Sequence, residues 1–177
     1  MRIAVLGRGN VGGGLAKRWL KQGHEVDEFG RDGGDVSAAD VVVLAVPDDA
    51  IASAIAAAQG IAGKPLIDTT NAVGNRPEGF NSLAEYAKSL AGGPTTKAFS
   101  TVFALLYDRL DDIAERPSCA WAGDDGAREV TETLVRDAGY EPVYAGGLDA
   151  ARALEDFLGL GIAVARARGP FFYRIYD

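Results

Sequence analysis

The chain opens Met1-Arg2-Ile3-Ala4-Val5-Leu6-Gly7-Arg8-Gly9-Asn10-Val11-Gly12. Ile3 to Leu6 is an apolar run that reads as a short buried strand. Gly7, Gly9 and Gly12 form a GxGxxG turn, and Val11, Leu15, Ala16 and Trp19 follow with helical period. Strand, glycine turn and helix in that order are what a dinucleotide requires. Gly7 permits the tight turn, Gly9 lets the backbone approach a pyrophosphate, and Gly12 lets the helix lie close on the strand. The diphosphate then meets free N–H groups at a helix N-terminus, where the helix dipole also favours anions. Arg8, Asn10 and Val11 therefore join the three glycines as expected cofactor contacts.

Strand and helix alternate beyond this opening. A helix is expected over 10–22 with Gly23 as its cap, and a strand over 25–29. The polar stretch 31–39 is too short for a full second helix. Val41 to Val46 is a β-branched run without a polar break, which reads as a strand buried on both faces of a parallel sheet, ended by Pro47. Asp48 or Asp49 is expected to cap a helix carrying Ile51 and Ile55. A strand over 65–68 opens into Thr69-Thr70-Asn71-Ala72-Val73-Gly74. Ser82 to Glu85 is a capping box, starting a helix that stops near Gly92. Further elements are a strand over 96–99, a helix within 102–115, strands over 118–122 and 142–145, and a helix with Val130, Leu134 and Val135. A long apolar helix spans 149–167 and contains Gly159 and Gly161. The fold class is α/β, a Rossmann-type doubly wound parallel sheet with a small C-terminal helical lobe. Residues 1–95 form the nucleotide-binding core and 96–177 the half that completes the sheet and cleft.

Composition narrows the function. The 177 residues carry 18 Lys and Arg against 25 Asp and Glu, a net charge of −7, which disfavours general nucleic-acid binding. One Cys, Cys119, rules out a disulfide within the chain, and with one His, His24, a zinc site of the usual kind is not expected. No run of about twenty apolar residues suits a membrane span. A core strand at residue 2 leaves no room for a signal peptide, so a cytoplasmic protein is expected.

In an open parallel sheet the ligand lies outside the carboxyl ends of the strands. Gly7–Gly12, Gly30-Arg31, Ala45-Val46-Pro47 and Asn71-Ala72 should line one crevice there. An NAD-preferring fold carries an acid at the tip of its second strand. Here the tip reads Phe29-Gly30-Arg31, and Arg31 is placed to pair with a 2′-phosphate, which favours NADP. Asp32 and Asp35 nearby weaken that preference.

Several segments in order resemble one family: Gly7-Arg-Gly-Asn-Val-Gly12, Gly23-His-Glu-Val26, Leu44-Ala-Val-Pro47, Leu66-Ile-Asp-Thr-Thr-Asn71, Lys97-Ala-Phe-Ser-Thr-Val-Phe-Ala104, Ala122-Gly-Asp-Asp125 and Ala150-Ala-Arg-Ala-Leu-Glu155. The chain is similar to NADP reductases that depend on the deazaflavin coenzyme F-420. The resemblance implies NADP(H) on the glycine turn, the deazaflavin beside the nicotinamide, and direct hydride transfer between two flat rings with no catalytic side chain. The chain departs from the family pattern at Arg8, Ala72-Val73 and Ser100. Arg8 either clamps the diphosphate or obstructs the second ligand. These departures keep open a flavin or small carbonyl as acceptor, or an NADPH sensor without turnover.

A carbonyl acceptor would need a proton donor, for which Lys97 has the fair claim. Otherwise Lys97 reads as a surface lysine or as a ligand for the coenzyme's acidic tail. Asn71 either hydrogen-bonds the nicotinamide or holds its loop. Phe99 and Cys119 read as core, His24 as structural, and Asp124 and Asp125 as helix caps. The tail Phe171-Phe-Tyr-Arg-Ile-Tyr176 covers the cleft or meets a second subunit, and a homodimer is expected. No metal is expected.

Overall fold

In a computed structural model, residues 1–74 and 76–176 are described. Seven strands form one sheet: β1 (Arg2–Leu6), β2 (Glu25–Phe29), β3 (Val41–Leu44), β4 (Leu66–Asp68), β5 (Thr95–Lys97), β6 (Ser118–Gly123) and β7 (Glu141–Tyr144). Their order is β2-β1-β3-β4-β5-β6-β7. The first five run parallel, β6 is antiparallel to β5, and β7 is parallel to β6. The architecture is the Rossmann-like α/β fold, with a C-terminal helix added.

Alternation along the strands builds a core on each face. Ile3, Val5, Val41, Val43 and Ile67 pack under α1 (Asn10–Lys21) and α4 (Arg128–Asp137), around a fully buried Trp19. Ala4, Leu6, Val42, Leu44 and Leu66 face the other way, against α2 (Ile51–Ala57) and α3 (Leu83–Ala91). On β6, Ala120 and Ala122 meet Leu154 of α5 (Ala151–Arg168). Both faces are covered, which is why the Val41–Leu44 run has no polar break.

The connections follow local chemistry. Ser82 Oγ accepts from the Glu85 N–H at 3.1 Å, while the Glu85 carboxylate reaches back to the Asn81 N–H at 2.8 Å. Gly92, with φ 72°, closes α3 in the left-handed region. Between β2 and β3, a two-residue ladder of Gly34-Asp35 with Ala58-Gln59 stands where a second helix would.

Two local expectations are corrected, and the form of a third element is now defined. β3 stops at Leu44, short of the expected Val46; the Ala45 N–H still donates to the Leu6 carbonyl at 2.8 Å, and the Ala45 carbonyl lies against Gly7. α2 is preceded by a 3-10 turn and capped by Ala50, not by Asp48 or Asp49. Asp48 Oδ2 instead accepts from the Val73 and Gly74 N–H groups, both at 2.9 Å. The helix expected within 102–115 is present as a 3-10 helix, Ala104–Asp112. The buried Arg18 takes the Tyr107 carbonyl at 2.8 Å, competing with continuation of an α-helical ladder. No helix among the described residues is long and apolar enough to cross a membrane.

Candidate active site

Sheet order brings the predicted loops together. Leu6 pairs with Phe29 and Leu44, and Leu44 pairs with Asp68, so the loops after β2, β1, β3 and β4 emerge side by side. Gly30-Arg31, Gly7–Gly12, Ala45–Pro47 and Asn71-Ala72 sit in those loops. The segment 98–103 emerges next to them, after β5.

The three glycines answer to different constraints. Gly7 has φ 115°, and a Cβ there would lie 2.1 Å from the Ala45 carbonyl oxygen. At Gly12 a Cβ would lie 2.0 Å from the Gly7 oxygen. Both are demanded by the fold. Gly9 is not: its φ is −79°, and a Cβ would meet nothing within 4 Å. It is the exposed N-cap of α1 and offers no capping side chain. The first N–H groups of the helix therefore face open space, lacking acids in the first turn. Asn10 is exposed beside it, while Val11 is half-buried against the core. Gly14 is a packing glycine, closed against the Tyr107 ring, whereas Gly13 is not tightly enclosed.

Arg8 does not reach toward the second-ligand side. Its Nε and one terminal nitrogen both donate to the Glu28 carbonyl, at 3.1 and 2.8 Å. It lies over the tip of β2, on the far side of β1 from Asn71. Arg31 is exposed and makes no hydrogen bond or ion pair among the described residues. Pro47 is exposed at the crevice, and Ala45 and Val46 are half-buried.

A second hollow is lined by Asn71, Ser100, Val102, Phe103, Phe157 and Leu158. The Asn71 side-chain amide donates to the Ser100 carbonyl at 3.0 Å. Its Oδ1, and Ser100 Oγ, are buried without a protein partner. Buried polar atoms are ordinarily paired, so both orphans ask for a ligand group or water. Phe99 adopts φ 61°, an unusual left-handed turn for a bulky residue, which redirects the chain from β5 into 100–103. Its ring packs against Trp19 and Tyr140. The tail lies over this hollow: Phe171 packs on Phe103, Tyr173 packs on Phe157, and the Tyr173 hydroxyl meets Thr101 Oγ1 at 2.7 Å.

Lys97 is neither a surface lysine nor an exposed donor. It is fully buried, with Nζ 2.5 Å from Asp68, 3.0 Å from Glu155 and 2.7 Å from the Thr70 carbonyl. Glu155 also binds Arg76 at 2.8 Å and the Leu83 N–H at 2.8 Å. This hub ties Asp68 of β4, Lys97 of β5, Thr70, Arg76 and Glu155 of α5 together. Sequence reading missed Glu155. The signal was there: Ala151, Leu154, Glu155 and Leu158 share one helical face, and a carboxylate on an apolar stripe calls for a buried cation.

The remaining candidates are structural. His24 bridges Asp137 and the N-terminal amine, at 2.7 and 3.3 Å. Burial pushes the Cys119 thiol up to about 12, leaving it unreactive. Asp124 binds Lys88 and the Thr95 N–H rather than capping, and Asp125 points to solvent.

No family model matches the sequence. A crystal structure from Arthrobacter sp. FB24, provisionally named an F420-dependent NADP reductase, matches with TM-score 0.83 and 25% identity over 100% of both chains. The chain is similar to that protein over its whole length. An imine reductase from Streptomyces aurantiacus matches with TM-score 0.71 at 18% identity, over 94% of this chain and 63% of that one. A reductive aminase from Aspergillus terreus, solved with NADPH and ethyl levulinate, gives TM-score 0.71 at 18% identity, over 94% and 62%. The chain thus spans less than two thirds of these two enzymes, and the likeness to them is one of fold.

Proposed function

We propose that this protein is an NADP-dependent oxidoreductase that passes a hydride between NADP(H) and a deazaflavin of the F-420 type. The observation that carries the reading is the open space at Gly9, a glycine that the protein's own packing does not require. Gly9 and the N–H groups of Asn10, Val11 and Gly12 would hold the diphosphate. Gly30 and Arg31 would take the 2′-phosphate end, and Ala45-Val46-Pro47 would form the wall of the crevice. Asn71 and Ala72 would border the nicotinamide. When bound, NADP supplies a ring that carries the hydride. The chain's own residues supply position and exclude water. The Arthrobacter likeness supports the family, and the NADPH in the Aspergillus enzyme supports the cofactor.

Phe103 and Phe157 flank the second hollow and two orphaned polar atoms line it, which supports a polar group of the acceptor, not its whole ring system, reaching Asn71 and Ser100. A carbonyl acceptor finds no support in Lys97, which is enclosed by Asp68, Glu155 and Thr70. The test mixes the protein with NADPH and oxidised deazaflavin and follows the visible absorbance of the deazaflavin. Rapid bleaching that needs the protein and is much slower with NADH is expected. Absence of bleaching while NADPH still binds would remove the deazaflavin and leave the dinucleotide site.

Arg31→Ala should weaken NADPH by about tenfold or more, the worth of one charge-assisted hydrogen bond, and leave NADH nearly unchanged. Equal loss for both cofactors in a fluorescence titration would detach Arg31 from the 2′-phosphate.

A further inference from the structure

We propose that Arg8, from inside the glycine turn, is the fixed cation that selects the 2′-phosphorylated dinucleotide. The proposal rests on the dinucleotide reading above and gives Arg8 a different task from the diphosphate. Its guanidinium is already oriented. Nε and one terminal nitrogen share the Glu28 carbonyl as acceptor. The other terminal nitrogen, NH1, donates to no protein group among the described residues. No carboxylate lies within ion-pair distance of Arg8 among those residues, and the Glu28 carboxylate turns instead toward Gly13. The charge is therefore held in place and left free on the side facing Gly30.

Gly30 completes the argument. A Cβ built there would lie 3.8 Å from both Cζ and NH1 of Arg8. Gly30 is exposed, and its φ is outside the left-handed region, so its backbone does not demand glycine. What the missing side chain provides is room beside the guanidinium. This is the tip of β2, where a fold that takes the unphosphorylated cofactor carries an acid for the ribose 2′-hydroxyl. Here the acid is absent and a cation from the neighbouring turn occupies the flank. Arg31 then acts as the mobile partner of a two-arginine clamp. Arg8, pre-oriented by its two bonds, loses less freedom on binding than a free side chain.

The test is equilibrium binding of NADPH, NADH and adenosine 2′,5′-bisphosphate to the wild-type protein, Arg8→Ala, Arg8→Lys and Gly30→Asp, with thermal melts to confirm folding. Arg8→Ala should weaken NADPH and the bisphosphate by about 10- to 100-fold and change NADH by less than about twofold. Arg8→Lys should recover part of that loss, since charge returns without the fork. Gly30→Asp sets a carboxylate against the guanidinium and should weaken NADPH to a similar extent while NADH is retained or improved. Equal losses of NADPH and NADH in Arg8→Ala would overturn the proposal and return Arg8 to the diphosphate. Unchanged NADPH binding in that variant would overturn it in favour of Arg31 alone. Wild-type protein that binds neither cofactor would overturn the dinucleotide reading itself.

Discussion

Gly9→Val is expected to abolish binding of both NADPH and NADH while the protein still folds. The backbone at Gly9 is extended, at φ −79° and ψ −168°, which a β-branched residue accepts. Its Cβ would touch nothing within 4 Å, so no packing is lost. The new side chain would instead fill the space in front of α1, where the diphosphate must reach the helix N–H groups. Losing two or more charge-assisted hydrogen bonds corresponds to a fall in affinity on the order of 1,000-fold. Gly7 and Gly12 set the contrast. Alanine at either meets a carbonyl oxygen at 2.1 or 2.0 Å, so those variants should lose stability first. A titration of cofactor fluorescence beside a thermal melt reads both quantities. Retention of binding in folded Gly9→Val would show that the turn is not the pyrophosphate cradle.

Lys97→Met should cost about 3–5 kcal/mol of stability, the usual result of removing one partner from a buried ion pair. Asp68 and Glu155 are left facing each other with their shared cation gone, and both side chains are fully buried. Against a total stability of about 5–15 kcal/mol, that is a large share. For a chain of this size the melting temperature should fall by roughly 6–20 °C. Adding Asp68→Asn should recover part of the loss, because Glu155 keeps Arg76 at 2.8 Å. A Lys97→Met protein melting within two or so degrees of the parent would show that the hub contributes little.

The loops proposed to hold the dinucleotide were legible because their signals are local. A β-branched run, a glycine turn and a strand tip each announce themselves within a few residues, and strand order then assembles them. Gly9 and Gly12 look alike in sequence, yet only the packing around Gly12 separates a fold requirement from a ligand requirement. The hub was not legible because Asp68 lies 29 residues before Lys97 and Glu155 lies 58 residues after it, and the three meet only through the sheet and α5. A lysine at a strand end usually reaches water, and nothing near Lys97 indicates that two carboxylates enclose it. Asp48 and Asp124 misled for a related reason. Each stands where a helix cap would, and each is drawn to a tertiary N–H instead, at Gly74 and Thr95. The reversal at β6 also escaped, since apolar strands of opposite direction look the same in sequence.

On α5, Glu155 anchors the helix in the hub, and Phe157 and Leu158, within one turn, wall the second hollow. The anchor and the wall are separate positions on one rigid rod. Mutation can therefore recarve the wall of the second hollow at 100–103 and 157–161 without replacing the anchor or any residue of the glycine turn. On the proposed function, a change of reaction partner would need few substitutions and would leave the glycine turn as it is.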